Sequence, residues 1–192
     1  STIVYGLYKE AKIEPDEKTA LLMLSAILSD TLLFKSPTCT SRDVEVAKEL
    51  AKLAKVDNIQ EYGMEMLVAG TSMAKSSMKE IINQDKKIFP IGDMEIAVAQ
   101  INTVQIEELS ARKEEIAKEI EHEIGKYGYS LFLFVVTDII NSNSLVFTYG
   151  KEIELVENAF KKEVVNNEIL LENVVSRKKQ IIPFLMTAAQ NM

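Results

Sequence analysis

Histidine, cysteine and tryptophan are almost missing from this sequence: it has one His, one Cys and no Trp in 192 residues. A single cysteine, Cys39, rules out an internal disulfide and fits a reducing, cytoplasmic setting. A single histidine, His122, sits in the strongly charged stretch from Glu114 to Lys126 and reads as an exposed surface residue. A self-contained Ser-His-Asp or His-rich metal site is therefore hard to build. No apolar run reaches the roughly 18–20 residues of a membrane span; the longest, Leu131 to Val136, has the length of a strand. No secretory leader is visible, because the first residues carry Lys9 and Glu10 and lack a long apolar core. Positive charge is in the minority, 22 Lys and Arg against 29 Asp and Glu, for a net charge of −7. That balance disfavours a general nucleic-acid binder. No internal repeat or low-complexity segment is present.

What the sequence does contain is a cationic cluster in an acidic background, Ser176-Arg177-Lys178-Lys179-Gln180. It lies between an apolar run (Ile169 to Val175) and a helix-like tail (Ile181 to Gln190). Arginine offers a planar fork of donors for phosphate, lysine a compact charge, and a helix start adds free N–H groups. Two readings stand side by side, a solvated basic turn and a site for a small polyanion.

Periodicity divides the chain. Thr2 to Ala11 reads as a short helix. Pro15-Asp16 opens a second, apolar nearly all round through Leu28 and so expected to be buried. Thr40 or Ser41 caps a third, with Val44, Ala47, Leu50, Ala51 and Ala54 inward. A fourth spans Ile59 to Leu67. Small and polar residues at Ala69-Gly70-Thr71-Ser72 then mark a boundary. Downstream, Ser77 caps a helix to Asn83. Lys87 to Pro90 and Met94 to Ile101 read as strands joined by Ile91-Gly92-Asp93. Ile106 to Gly125 reads as one long amphipathic helix, Ser130 to Ile140 and Leu145 to Tyr149 as strands, and Glu152 to Phe160 as a helix after Gly150. Leu171 to Val175 reads as a last strand, and Pro183 falls in the first turn of the last helix.

Several residues qualify for chemistry. Asp30 follows a mostly apolar stretch and precedes Leu32-Leu33-Phe34; a carboxylate there is costly unless partnered. It reads either as an exposed helix-end Asp or as a hard-metal ligand suited to manganese or magnesium. Lys87 either faces solvent or reaches towards an anion held by Arg177 and Lys178. Asp138 ends an apolar strand, where a carboxylate can be functional, but reads better as a turn former; Lys35, Ser36 and Thr38 could donate to phosphate but read better as a plain turn. Met64, Met66, Met73 and Met78 read as packing. Together, Asp30 and the remote Arg/Lys cluster outline a metal-plus-phosphate site spread over two domains.

The stretch from Leu24 to Thr40, built around Ser29-Asp30-Thr31-Leu32-Leu33-Phe34-Lys35-Ser36-Pro37-Thr38, and the stretch Val175 to Gln180 closely resemble the manganese-dependent (family II) inorganic pyrophosphatases of the DHH phosphoesterase superfamily. Ala99 to Val104 and Val136 to Ile139 resemble the same family, so the likeness runs in order through essentially the whole chain. It implies an α/β protein: residues 1–70 as the mostly helical end of a metal-binding DHH domain, 71–76 as a hinge linker, and 77–192 as a mixed-sheet, substrate-binding DHH-associated domain. It implies Asp30 as a metal ligand and Lys87, Arg177 and Lys178 as the substrate-binding cations. The implied cofactor is Mn2+, with Mg2+ or Co2+ as substitutes. The implied reaction is hydrolysis of pyrophosphate to two orthophosphates by a metal-bound hydroxide, in a homodimer of the complete enzyme. An Asp-His-His signature, from which the family takes most of its metal ligands, is absent. The chain is therefore expected to be a piece of such an enzyme, lacking the N-terminal part and inactive alone. Two alternatives remain: another DHH phosphoesterase acting on polyphosphate or short oligonucleotides, and a non-catalytic anion-binding module. Oligonucleotides call for stacking aromatics, and none surrounds Arg177.

Overall fold

Four helices make the first part of the chain: α1 (Thr2–Glu10), α2 (Glu17–Asp30), α3 (Ser41–Leu53) and α4 (Ile59–Thr71). Their starts follow from side-chain capping of the free N–H groups at a helix start. Asp16 accepts from the Thr19 N–H at 2.7 Å. Thr40 and Asp43 cap α3 reciprocally, each side chain accepting the other's backbone N–H. The core gathers Met23, Leu24, Ile27 and Leu28 of α2 with Val46, Ala47, Leu50 and Ala51 of α3. The expectation that α2 is buried all round fails at Leu22, which is 72% exposed; only one stripe of the helix meets α3. The expected inner face of α3 held Val44, yet the buried residue is Val46.

After α2 the backbone takes an unusual course. Leu32, Leu33 and Phe34 have φ of 48°, 54° and 68°. Three consecutive side-chain-bearing residues in the left-handed region cost of order 1–3 kcal/mol each unless the surroundings hold them. Here Leu33 N–H reaches Leu28 O at 2.9 Å and Ser36 N–H reaches Thr31 O at 2.8 Å. Leu33 is 4% exposed and packs against Gly63 of α4, where a Cβ would stand 2.4 Å from Leu33 Cδ2.

This computed structural model describes residues 1–71 and 76–191. The chain divides into two compact units, Ser1–Thr71 and Ser72–Met192. Most of the expected hinge, and Met73, lie outside the described residues.

The second unit contains α5 (Met78–Gln84), β1 (Lys86–Ile91), β2 (Met94–Thr103), α6 (Ile106–Ser110), α7 (Lys113–Tyr127), β3 (Leu131–Asp138), β4 (Asn143–Gly150), α8 (Ile153–Phe160), β5 (Glu168–Leu171), a π turn (Arg177–Ile181) and α9 (Ile182–Ala189). Ser77 and Glu80 form a second reciprocal cap, on α5. The strands lie in the order β1-β2-β3-β4-β5, with β2 and β3 parallel and the other neighbours antiparallel. The parallel pair requires a crossover, and α6 and α7 supply it. Side chains alternate between the two faces. Ile96, Val98, Leu133, Val135 and Ile169 meet Leu155, Val156, Ile182 and Leu185 of α8 and α9. Ala97, Ala99, Phe132, Phe134 and Phe147 meet Ile81, Ile116 and Ile120 of α5 and α7. Every residue of β3 is buried, as its unbroken apolar run implies for a covered strand.

Two expectations shift. The helix of 106–125 is two helices, broken at Ala111-Arg112. The last strand lies at Glu168–Leu171 instead of Leu171–Val175. Asn166 and Asn167 both have positive φ, 52° and 63°, as a tight I′ turn requires, and that turn starts the strand earlier. Val174 and Val175 then belong to the loop that leads into the cationic cluster.

Candidate functional site: a cationic helix start on one face of the sheet

Ser144 Oγ begins the anchoring of that loop by donating to Val174 O at 2.7 Å. Gln180 folds back on it: its Oε1 accepts from the Val175 and Ser176 N–H groups at 3.0 and 3.1 Å, and its Nε2 donates to Asn173 O at 2.7 Å. Gln100 of β2 grips from the sheet. Its Oε1 accepts from the Arg177 N–H at 3.1 Å, while its Nε2 donates to Thr137 Oγ1 at 2.9 Å and Val175 O at 3.1 Å. Ser176 caps the π turn by accepting from the Lys179 N–H at 3.3 Å. Single-turn π segments recur at functional sites.

Arg177 is the least exposed cation of the cluster, at 7%. Its Nη1 donates to two main-chain carbonyls, Asp85 O at 2.6 Å and Val98 O at 2.9 Å. Its Nη2 donates to the Asp85 carboxylate at 2.9 and 3.0 Å. Lys178 is exposed. Lys87 is exposed on β1, and its register partner is Val98, the residue whose carbonyl receives Arg177. Register partners share a face, so Lys87 lies on the sheet face of Val98, the face that α9 covers; Arg177 and Lys178 belong to the turn that leads into α9. Asp85 and Gln100 escaped sequence reasoning as partners of Arg177. No local signal reveals them, since Asp85 and Gln100 meet Arg177 across separations of 92 and 77 residues.

Asp30 belongs to the first unit. It is the last residue of α2 and is exposed, because its apolar neighbours point into the core while it points out. It lines a cavity of about 400 Å3 with Ser1, Thr2, Ile3, Ile27, Thr31, Thr38 and Asp43. Asp43 is committed elsewhere: the hydroxyl of Thr2, then that of Thr40, then the Thr40 N–H hold its carboxyl below the usual range. Among the described residues no group of three or more His, Cys, Asp or Glu could hold a metal ion. These residues do not make a metal centre by themselves.

The remaining candidates have structural roles. Asp138 Oδ1 accepts from the Ile140 and Asn141 N–H groups at 2.8 and 3.1 Å, forming an Asx turn. Ser36 and Thr38 bond one another at 2.7 Å. His122 is exposed, and Met78 is packed in the core beside Ile81. No described helix is long and apolar enough to cross a membrane.

The second unit is thus an α/β domain with helices on both faces of a mixed sheet and a cation-bearing helix start at one edge. The model of the DHHA2 domain family matches residues 64–188, and the chain belongs to that family. The chain is 46% identical over 188 residues to the manganese-dependent inorganic pyrophosphatase of Bacillus subtilis. That match covers 98% of this chain and 60% of the relative's length. Among solved structures, a Methanococcus jannaschii protein described as a family II inorganic pyrophosphatase aligns with a TM-score of 0.86 at 39% identity. That alignment covers 98% of this chain and 64% of the solved one.

Proposed function

We propose that this chain works as part of a manganese-dependent inorganic pyrophosphatase, and that its second unit binds pyrophosphate through Lys87, Arg177 and Lys178. The observation that carries the reading is the 46% identity with the Bacillus subtilis enzyme over 188 residues. The cationic helix start supports it: the anchored Arg177 is followed by the exposed Lys178, and the exposed Lys87 lies on the edge strand opposite Val98, in a chain of net charge −7. Ammonium charges neutralise phosphate oxygens as point charges, and the guanidinium adds directional donors. Residues 172–183 contain no aromatic side chain, which favours a compact phosphate substrate over an oligonucleotide that stacks. Asp30 supplies one hard oxygen ligand, a donor type that manganese accepts. The ligands that complete the metal site come from the N-terminal part of the same enzyme, which works as a homodimer in the cytoplasm. The test is calorimetric titration of the chain with pyrophosphate. Lys178→Ala is expected to weaken binding roughly three- to tenfold, as loss of one charge-assisted contact does; unchanged affinity would remove the cluster from the substrate site.

A further inference from the structure

The five N–H groups of Arg177 are spent unequally. Both hydrogens of Nη1 go to main-chain carbonyls, Asp85 O and Val98 O. Those two bonds fix where the guanidinium sits whatever side chain occupies position 85. Nη2 points instead at the Asp85 carboxylate, which accepts through both oxygens at 2.9 and 3.0 Å. The arginine side chain is 7% exposed and the aspartate side chain 50%. The carboxylate therefore stands half in water over a cation that is almost wholly out of it.

We infer that Asp85 is an internal competitor for the Nη2 edge of Arg177, and that a phosphate anion takes that edge only when the carboxylate leaves it. This rests on the reading that Arg177 meets pyrophosphate. A carboxylate and a phosphate both accept charge-assisted hydrogen bonds from a guanidinium, and with Nη1 held by carbonyls the Nη2 edge serves one or the other. The consequence is a population tax: the apparent dissociation constant is the intrinsic one divided by the fraction of molecules with the edge open. For a half-exposed ion pair that factor is roughly two to six. The factor belongs to the protein alone, so it is the same for every anion that needs the edge. Pyrophosphate and orthophosphate pay it equally, and Asp85 returns to the arginine as an anion departs.

The test is a double-mutant cycle on the full 192-residue chain, using Asp85→Asn, Arg177→Ala and the double variant, each titrated with pyrophosphate and with orthophosphate. Asp85→Asn is expected to tighten both anions by the same factor, roughly two to six, and the gain is expected to vanish in the Arg177→Ala background. Thermal unfolding verifies that each variant is folded, with Asp85→Ser and Arg177→Met replacing any that is not. Equal or weaker binding by Asp85→Asn overturns the competitor while leaving the substrate role of Arg177 intact. A gain that is larger for pyrophosphate and survives without Arg177 is plain charge repulsion from Asp85, and overturns it too. Binding that does not depend on Arg177 in any chain, or no saturable binding even by Asp85→Asn, overturns the substrate reading and the competitor with it.

Discussion

Arg177 and Lys178 are chain neighbours of like charge with opposite physical situations. Arg177 is buried and bonded to two backbone carbonyls and a carboxylate; Lys178 is exposed. Truncating the first leaves buried acceptors unpaired, so Arg177→Ala is expected to lose about 2–4 kcal/mol of stability as well as pyrophosphate affinity. Lys178→Ala is expected to stay within about 0.5 kcal/mol of the parent in urea unfolding and to lose affinity only. Equal midpoints for the two variants would contradict the burial of Arg177. The sequence showed that a cationic cluster exists; it could not show which cation is clamped, because the clamp comes from Asp85 and Val98 far upstream. Glycine gives a second contrast. Gly6 in α1 has nothing within 4 Å of an added Cβ, whereas at Gly63 that atom meets Leu33 Cδ2 at 2.4 Å, Leu33 Cγ at 3.1 Å and Leu28 Cδ1 at 3.3 Å. Alanine gains up to about 1 kcal/mol over glycine in a helix interior, and overpacking costs about 1–3 kcal/mol. Leu33 is held in the core on a left-handed turn and cannot swing away, so overpacking is expected to win. Gly6→Ala should raise the unfolding midpoint and Gly63→Ala lower it; a rise in both would mean the turn at 32–34 yields easily.

Capping residues were the most legible elements, since a cap is a local transaction between residues three apart. Thr40-Asp43 and Ser77-Glu80 both form reciprocal boxes. Thr40→Ala is expected to cost about 1 kcal/mol in thermal or urea unfolding. The same box has a pH signature. Asp43 is held below the usual carboxylate range, by the Thr2 hydroxyl first and by Thr40 second. A depressed folded-state value means that the stabilisation is complete above the unfolded value of about 3.9 and fades as pH falls through the folded one. The stability deficit of Asp43→Asn should therefore be full at neutral pH and close below about pH 4. A deficit that stays constant down to acid would mean the carboxylate charge contributes nothing. Elements whose limits depend on distant partners were less legible. The break between α6 and α7 at Ala111-Arg112 carries no Pro or Gly, and periodicity runs straight across it. The start of β5 is set by positive φ at Asn166 and Asn167, a turn signal that the apolar run at Ile169 to Val175 masked.

For the whole molecule, the instructive residue is Asp30. An apolar stretch made it look buried and in need of a partner, yet helical geometry turns Ile27 and Leu28 inward and leaves Asp30 exposed beside a cavity. Burial is no guide to the ligand role proposed for it, because ligands from distant segments define a metal site and no such group forms among the described residues. A single exposed carboxylate holds a divalent cation weakly, and a ligand stabilises a fold only in proportion to the logarithm of its concentration over its dissociation constant. Millimolar manganese is thus expected to move the unfolding temperature of this chain by no more than about 1–2 °C. Pyrophosphate is expected to stabilise the chain more, through the cationic cluster, with an effect that shrinks as salt rises and screens the exposed lysines. Manganese and pyrophosphate together should release no orthophosphate above the uncatalysed background, because cations proposed to bind the substrate generate no nucleophile. A colorimetric phosphate assay on the purified chain, run beside the thermal scans, checks both statements. Manganese-dependent turnover, abolished by Asp30→Asn, would show that this chain completes a metal site that its described residues do not supply.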